Sequence, residues 1–363
     1  MYKIFTVLGT RPEIIKLSRI IDKFDKIFNH KLIHAGQNFD YELNEIFFKE
    51  LKIRKPDIFL NCADTTSSKT ISKVITNFEN FILNNKPDAV FILGDTNSSF
   101  AALTAKKNKI PVFHFEAGNR CFDNLVPEEI NRKIIDHISD VNFTYTSISK
   151  QNLIREGIHP EKIVSLGSPM KEVINYYNKG IEHSKILKKL KLKKNNYFLI
   201  SLHREENVDD SKKLNQFFKS IIYLSQKYKK QSLISTHFRT AKRLKNLKLT
   251  DNNLIFMKPF GFFDYITLQK NSFLTLSDSG TLSEESSILG VNSIHLRHCT
   301  ERPEALENGA IIIGGSSKQK LLTCVKFIKS FNPKVNNHSN YDNLNVSDNI
   351  VKAIISYLDY YKI

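Results

Sequence analysis

The sequence alternates between short apolar runs and longer amphipathic segments, and this alternation restricts the fold more than any other feature. The first run, KIFTVLG at residues 3–9, has the composition of a buried strand and ends in a glycine. It is followed by RPEIIKLSRIIDKF, whose apolar residues at 14, 15, 17, 20, 21 and 24 lie on one helix face. The pattern recurs in KLIHAG, AVFILG, PVFHFEA and VNFTYT. Repeated β-α-β units predict an α/β fold with a parallel sheet.

A second series of the same kind begins at YFLISLH, residues 197–203, and continues through SLISTH, NLIFMK, SFLTLSD and VNSIHL. Two series predict two Rossmann-like, doubly wound domains. We place the boundary in SLGSPM, so that residues 1–168 form the first domain and residues 169–345 the second. Residues 346–363, which contain NIVKAIISYLDYYKI, are predicted to form a C-terminal helix.

Composition and charge restrict the class of protein. The 363 residues are 41% hydrophobic, and Lys plus Arg exceed Asp plus Glu by 54 to 37. The lysines are spread over many predicted helices and accompany no nucleic-acid-binding motif, so we do not expect nucleic acid as a partner. Neither a signal peptide nor a membrane-spanning run is evident, so we expect a cytoplasmic protein. The four cysteines lack metal-site spacing, and we expect no metal.

Charged residues gather where predicted strands end. Arg11 follows the first strand, Asp95 follows AVFILG, Glu116 and Arg120 follow PVFHF, and His203 follows YFLISL. Ligands of open parallel sheets bind beyond the carboxyl ends of the strands. The four clusters therefore predict one active-site cleft between the two domains.

The stretch from His114 to Arg132 carries the chemistry of proton transfer. Pro127 is predicted to start a helix, which places Glu128 and Arg132 four residues apart on one face, where they can pair. Neighbouring carboxylates raise each other's proton affinity and an arginine opposes this, so one acid can be protonated while another is ionised. An ordinary surface ion pair is the alternative. We expect the core stripe of this helix to consist of Ile130, Ile134 and Ile138.

The stretch LSDSGTLSEESSILG, residues 276–290, has the pattern of a phosphate site. Ser279, Gly280 and Thr281 offer hydroxyls and backbone N–H groups where a helix begins, and Glu285 can accept hydrogen bonds from a ribose. A capped helix with an acidic first turn is the alternative. Upstream, the ring of Phe263 can stack on a base, although aromatic clusters more often form core.

Seven motifs resemble, in order and over nearly the whole chain, those of the non-hydrolysing UDP-N-acetylglucosamine 2-epimerases. The motifs are GTRPEIIKLS, LGDTNS, HFEAGNR, PEEINR, SLHREEN, SDSGTLSEESSILG and TERPEAL. The resemblance implies the glycosyltransferase type B fold, with UDP held mainly by the second domain and the C-terminal helix packed on the first. It also implies inversion at C2 by elimination and re-addition of UDP through a 2-acetamidoglycal, without a cofactor or metal, in a homodimer.

The resemblance also implies roles for individual residues. Asp95, Glu116 and Glu128 match the catalytic carboxylates of the family, and Arg132 and His203 match their charged partners. The residues that match substrate or UDP contacts are Arg11, Lys16, Gln37, His237, Phe263, Ser279, Gly280, Thr281, Glu285 and Arg302. Next to His237, Phe238 stands where the resemblance to the fucosamine-forming branch, described next, leads us to expect proline.

A narrower resemblance concerns the substrate. GQNFDYELNEIFFKEL, NRCFDNLVPEEINRKIIDHISDVN and KPFGFFDYITLQKN are similar to the branch that forms UDP-N-acetyl-L-fucosamine for capsule or O-antigen synthesis. The alternatives are a general UDP-N-acetylglucosamine 2-epimerase that forms UDP-N-acetylmannosamine, a hydrolysing epimerase or glycosyltransferase of the same fold, and a basic, non-catalytic binding protein.

Overall fold

The chain folds into two compact units. The structure, a computed structural model, describes residues 1–36, 41–236, 238–244, 251–337 and 339–360, without the side chains at 41–44, 205–206, 238–239 and 242. The first unit comprises Met1–Tyr176 and the chain from Ser339 onwards. The second unit begins at Tyr177 and ends before Ser339.

The first unit has, in its described residues, a seven-stranded parallel sheet with helices on its faces. The strands are β1 Lys3–Leu8, β2 Asn29–His34, β3 Ile58–Phe59, β4 Ala89–Leu93, β5 Val112–Ala117, β6 Val141–Thr144 and β7 Ile163–Ser165. The α-helices are α1 Arg11–Ile27, α2 Tyr41–Glu50, α3 Ser67–Leu83, α4 Ala101–Lys107, α5 Pro127–Ile138, α6 Ser147–Arg155, α7 Met170–Tyr176 and, from the C-terminal end of the chain, α17 Val346–Leu358. Short 3₁₀ helices span Asn97–Phe100, Pro160–Lys162 and Ser339–Tyr341.

The second unit has, in its described ranges, a six-stranded parallel sheet. Its strands are β8 Tyr197–Leu202, β9 Gln231–Thr236, β10 Leu254–Met257, β11 Leu274–Ser277, β12 Ser293–His295 and β13 Ile311–Ile313. Its helices are α8 Asn178–Glu182, α9 Ile186–Lys189, α10 Glu205–Val208, α11 Ser211–Tyr228, α12 Phe238–Leu244, α13 Phe262–Asn271, α14 Leu282–Leu289, α15 Glu304–Glu307 and α16 Lys318–Phe331.

The strand order confirms the prediction of two Rossmann-like units. The orders are β3-β2-β1-β4-β5-β6-β7 and β10-β9-β8-β11-β12-β13. In each unit the order reverses next to the first strand, between β1 and β4 and between β8 and β11. Doubly wound folds bind their ligands at this reversal, beyond the carboxyl ends of the strands.

The continuous apolar runs of the sequence form strands because both faces of each sheet are covered. Strand β4 is buried at all five positions, and the core of the first unit combines its residues with those of β1, α3 and α4. The core of the second unit joins β8, β11 and β12 to α11 and α16. Hydrophobic burial on this scale is the main force that holds each sheet to its helices.

The C-terminal helix α17 packs within the first unit. Asp348 Oδ1 lies 2.7 Å from Lys23 Nζ on α1, and Glu172 on α7 accepts a 2.9 Å hydrogen bond from the backbone N–H of Ser347. Apolar side chains, among them Ile350 and Ile354, are buried on its inner face. None of the helices in the described ranges combines the length and the apolar character needed to span a bilayer.

Candidate active site

Glu13 joins the ends of β1 and β4 at the reversal point of the first sheet. It is 1% exposed, and its Oε2 accepts hydrogen bonds of 2.6 Å from the backbone N–H groups of Gly9 and Thr10. Its Oε1 accepts from the hydroxyls of Thr96, at 2.7 Å, and Ser98, at 3.0 Å. Burial raises the pKa of Glu13, although these donors oppose the shift. The sequence analysis missed Glu13, although the Thr-x-x-Glu spacing is that of a capping box.

Glu116 sits in a distorted part of β5. Its φ is +75°, and the pairing register with β6 shifts between Phe115 and Ala117, as in a β-bulge. Bulges redirect side chains, and a left-handed conformation outside glycine costs about 1–3 kcal/mol, a strain typical of functional sites. The redirected Oε2 lies 2.7 Å from Lys16 Nζ and accepts a 3.0 Å hydrogen bond from the Tyr145 hydroxyl. Two predicted site residues, Lys16 and Glu116, are therefore in contact.

Arg132 on α5 contacts Asp95, which lies just after β4, and Glu129 on its own helix. Its Nη2 and Nε lie 2.7 and 3.0 Å from Asp95 Oδ2, and its Nη1 lies 2.8 Å from Glu129 Oε2. The guanidinium is almost completely buried. The structure thus brings together Asp95 and Arg132, as expected of site residues, and adds Glu129, which the sequence analysis did not single out.

The predicted core stripe of α5 was wrong. Ile130 and Ile134 are 51% and 38% exposed, whereas Ile138 packs partly against the core. The buried face instead carries Glu129, Arg132, Ile135 and Asp136. The helix turns this face inward because its charged side chains find partners there. Glu128, the predicted partner of Arg132, is half-buried on the same helix.

Glu129 also fixes the loop that precedes α5. Its Oε2 accepts a 3.1 Å hydrogen bond from the backbone N–H of Cys121, and its Oε1 accepts one of the same length from Phe122. The Cys121 thiol donates to Oε2 at 3.3 Å. Burial and the Glu129 carboxylate raise the pKa of Cys121 to about 12. This loop is therefore held by a buried carboxylate that also holds Arg132.

A buried charge network lies at the ends of β4 and β5. Asp136 Oδ1 lies 2.9 Å from His114 Nδ1, and its Oδ2 lies 2.7 Å from Arg120 Nη1. The other ring nitrogen of His114 is 3.0 Å from the carbonyl oxygen of Gly94. Burial alone would raise the pKa of Asp136, but His114 and Arg120 outweigh it and lower that pKa. The network fixes the backbone just before Asp95 and on either side of Glu116.

His203 and Asp278 meet at the reversal point of the second sheet. Asp278 is buried, and its Oδ1 lies 2.9 Å from His203 Nδ1. The same carboxylate accepts hydrogen bonds from the backbone N–H groups of His203 and Arg204 and from the Asn207 amide, at 2.9 to 3.2 Å. Burial would raise the pKa of Asp278, but His203 and these donors keep it well below its ordinary value. The result is an ionised carboxylate that orients His203.

The predicted phosphate loop lies immediately before α14. Ser279 Oγ and Thr281 Oγ1 are 3.0 Å apart, and the Ser279 N–H donates to Ser277 Oγ. A Cβ atom on Gly280 would lie 2.8 Å from Glu301 Oε1, so this position accepts only glycine without a shift. The loop therefore brings two hydroxyls together beside the N-terminus of a helix, the arrangement that favours an anion.

Glu285 lies on α14, and Arg302 contacts the same helix. Glu285 is buried in the first turn of α14, and Arg302 Nη2 lies 3.2 Å from Oε2 of its neighbour Glu284. The Arg302 side chain is almost completely buried. Both predicted residues are therefore held by the same helix that begins at the phosphate loop.

The family of the chain follows from its similarity to known proteins. The sequence model described as UDP-N-acetylglucosamine 2-epimerase matches residues 22–355. The chain belongs to this family. Its members are isomerases, and this protein is therefore an isomerase.

Similarity to individual epimerases extends over nearly the whole chain. A UDP-N-acetylglucosamine 2-epimerase of Methanocaldococcus jannaschii is 39% identical over 362 residues, which cover 97% of this chain and 98% of that protein. A structure of the UDP-N-acetylglucosamine 2-epimerase from Rickettsia bellii has a TM-score of 0.91 at 44% identity and covers 99% of this chain and 98% of the other. The M. jannaschii enzyme in complex with UDP-GlcNAc and UDP has a TM-score of 0.92 at 38% identity, with coverage of 98% and 99%.

Two further residues that the epimerase resemblance predicted, Arg11 and Phe263, lie within the described ranges. Arg11 begins α1, with its guanidinium carbon 5.8 Å from the centre of the Phe47 ring. Phe263 packs its ring against Gly180, where a Cβ atom would lie 2.6 Å from a ring carbon, and lies 5.9 Å from the Tyr177 ring. The contacts of Phe263 with Gly180 and Tyr177 are packing contacts.

Two predicted residues of the epimerase site, Gln37 and His237, lie outside the described residues, as does the side chain of Phe238. Within the described ranges, no group of three or more His, Cys, Asp or Glu side chains is arranged to hold a metal ion.

Proposed function

We propose that this protein inverts C2 of UDP-N-acetylglucosamine and forms UDP-N-acetylmannosamine without hydrolysis. The observation that carries the proposal is the strained Glu116, held by Lys16 and Tyr145 beside the reversal point of the first sheet. The M. jannaschii neighbour, similar over its whole length, is described as a complex with UDP-GlcNAc and UDP, which supports the same substrate here.

The proposed reaction has two steps. In the first, a carboxylate takes the C2 proton, the electron pair of that C–H bond forms the C1=C2 double bond, and the C1–O bond to UDP breaks with its electrons leaving on UDP. In the second, UDP adds back to C1 of the 2-acetamidoglycal while a proton returns to the opposite face of C2. The candidates for proton transfer are Asp95, Glu116 and Glu128, which we treat as a set.

The first unit supplies cations beside these acids. Lys16 pairs with Glu116 and Arg132 pairs with Asp95, so two of the three acids are each oriented by a fixed positive group. Positively charged partners limit the rise in proton affinity that neighbouring carboxylates cause in each other. A carboxylate beside a cation is favoured in its ionised form, which suits a base that takes the C2 proton.

We assign UDP binding mainly to the second unit. The hydroxyls of Ser279 and Thr281 beside the N-terminus of α14 suit a phosphate, and His203, oriented by Asp278, supplies a donor for the departing diphosphate. Glu285 in the first turn of α14 suits the ribose hydroxyls. Ser279→Ala is expected to weaken UDP binding, and unchanged affinity would count against this phosphate site.

Three further features stay predictions. One is a UDP-6-deoxy-N-acetyl-L-talosamine substrate, which would give UDP-N-acetyl-L-fucosamine and rests on three sequence stretches alone. Because the relatives described above are named for UDP-N-acetylglucosamine, we place that substrate first. The homodimer and the cytoplasmic location are the other two.

Proton NMR in deuterated water tests the proposal. The purified protein is incubated with UDP-N-acetylglucosamine and, separately, with the 6-deoxy-talosamine sugar, and the Glu116→Gln variant serves as the inactive control. Deuterium at C2 together with UDP-N-acetylmannosamine supports the proposed function. Turnover of the deoxysugar alone moves the protein to the fucosamine branch. Release of UDP with a free sugar indicates a hydrolysing enzyme, and an absence of exchange in both sugars contradicts the proposal.

A further inference from the structure

Arg297 is a buried arginine that neither the motif analysis nor the resemblance singled out. It follows β12 and is 4% exposed. Its Nε donates a 2.8 Å hydrogen bond to the carbonyl oxygen of Asp278, and its Nη1 lies 2.6 Å from Glu301 Oε2. Two of the three guanidinium nitrogens are thus anchored, which fixes the plane of the group.

The third nitrogen points at the phosphate loop. Arg297 Nη2 lies 3.8 Å from the position that a Cβ atom of Gly280 would occupy, just before the first turn of α14. It is buried and has no hydrogen-bond partner among the described residues. A buried cationic N–H without an acceptor is destabilising, so an acceptor is expected in the functional state.

The surroundings favour a phosphate as that acceptor. The hydroxyls of Ser279 and Thr281 lie in the same loop, and α14, an eight-residue helix, directs its N-terminus towards it. An arginine and a helix N-terminus together are a recurring phosphate site. Glu301 balances the charge of Arg297 through Nη1, while Nη2 remains directed at the loop.

We propose that Arg297 is a diphosphate-binding residue and donates from Nη2 to a phosphate oxygen of the nucleotide held at Ser279–Thr281. The proposal rests on the assignment of UDP to this loop. The hydrogen bond of Arg297 to the Asp278 carbonyl also connects Arg297 to His203, because the Asp278 side chain holds that histidine. One aspartate therefore positions two donors for the same diphosphate.

Binding of UDP and uridine to Arg297→Gln tests the proposal. We expect the Kd for UDP, measured by calorimetry, to rise at least ~10-fold, because a charged hydrogen bond to phosphate is lost. The affinity for uridine, measured by saturation-transfer NMR, should be unchanged. Arg243→Gln is the matched control, since Arg243 is exposed and pairs with Asp209. Unchanged UDP affinity, or an equal loss for UDP and uridine, would overturn the proposal.

Arg297→Lys covers the case in which the glutamine variant does not fold. A lysine retains the charge but cannot reach the Asp278 carbonyl, Glu301 and a phosphate together, so UDP affinity should fall several-fold while uridine affinity stays constant. A wild-type protein that binds UDP but turns over neither sugar contradicts the proposed function and leaves this test intact. A wild-type protein that does not bind UDP contradicts the role of Arg297 itself.

Discussion

Lys16 Nζ lies 2.7 Å from Glu116 Oε2, although the two residues are separated by 100 positions in the chain. Lysine 16 comes from α1, which follows the central strand β1, and Glu116 comes from the distorted end of β5. A doubly wound sheet brings both to the carboxyl ends of its strands, close to the reversal between β1 and β4. The contact therefore joins a strained carboxylate to a buried cation at the position where such folds bind ligands.

The first prediction concerns this carboxylate. Glu116→Gln should lower kcat at least ~100-fold, as expected when a proton-transfer group is lost, while the melting temperature changes little. The rate of deuterium incorporation at C2, followed by proton NMR, is the direct measurement. Glu161→Gln is the matched control because that side chain is 79% exposed. Wild-type exchange in Glu116→Gln would remove Glu116 from the proton-transfer step.

Two adjacent acids on α5 should respond differently to the same change. Glu128→Gln should lower turnover at least ~100-fold with the fold intact, because Glu128 belongs to the proposed proton-transfer set. Glu129→Gln removes the charge that pairs with Arg132 and replaces one of the two oxygens that accept from loop N–H groups with a donor, and buried pairs cost about 3–5 kcal/mol when broken.

Thermal unfolding and turnover, measured side by side, separate these roles. We expect the melting temperature of Glu129→Gln to fall by at least ~5 °C and that of Glu128→Gln to stay near the wild-type value. If the two variants behave alike in both measurements, the distinction between Glu128 and Glu129 is wrong.

The Cys121 thiol reports on the charge of Glu129. Because burial and that carboxylate raise the pKa of Cys121 to about 12, the thiol is almost entirely protonated at pH 8.5. Its alkylation by iodoacetamide, quantified by mass spectrometry of its peptide, should be at least ~100-fold slower than that of an unperturbed thiol. Glu129→Gln should accelerate it. Alkylation of the wild-type protein at the rate of a free cysteine is the opposing result.

Sequence reasoning succeeded for the fold because buried parallel strands have a simple signature. Strands such as β1 and β4 are covered on both faces, so they appear as continuous apolar runs separated by helical periodicity. The same topology brings Asp95 and Glu116, two of the predicted site residues, to one edge of the first sheet.

The helix α5 shows where the same reasoning fails. Two patterns compete in PEEINRKIIDHI: an apolar series at Ile130, Ile134 and Ile138, and a charged series at Glu129, Arg132 and Asp136. Apolar stripes usually face the core. Here the charged series is buried instead, because Arg132 pairs with Asp95 and Asp136 pairs with His114 and Arg120. Such pairings depend on distant segments, so no local period predicts them. The bulge at Glu116 likewise depends on the pairing of β5 with β6, which no local pattern predicts.

Asp278 should be essential for the orientation of His203. Asn in its place cannot accept from His203 Nδ1 and from the two backbone N–H groups at once, because one oxygen becomes a donor. We expect Asp278→Asn to lower kcat at least ~100-fold and to remove the His203 Nδ1–H signal from the ¹H–¹⁵N spectrum.

Asn207→Ala is the control for Asp278, since it removes another donor to the same carboxylate and leaves the contact with His203. It should retain most of the activity and the Nδ1–H signal. An Asp278→Asn variant with normal turnover and an unchanged imidazole signal would contradict the positioning role.

Asp136 should make stability depend on pH. Its pKa is lowered in the folded state, so its ionised form stabilises the protein above the unfolded pKa of about 3.9, and that contribution is lost as the pH falls through the folded pKa. Asp136→Asn leaves His114 and Arg120 without their shared anion, which we expect to cost about 3–5 kcal/mol at pH 7. Melting temperatures measured from pH 7 to pH 4 should therefore differ most at neutral pH, and the gap between wild type and variant should begin to narrow below pH ~5.

Asp348→Asn is the control for Asp136→Asn. It breaks a half-exposed pair with Lys23 and should change stability by about 0–1 kcal/mol. A small gap that does not vary with pH would mean that Asp136 is already neutral in the folded protein.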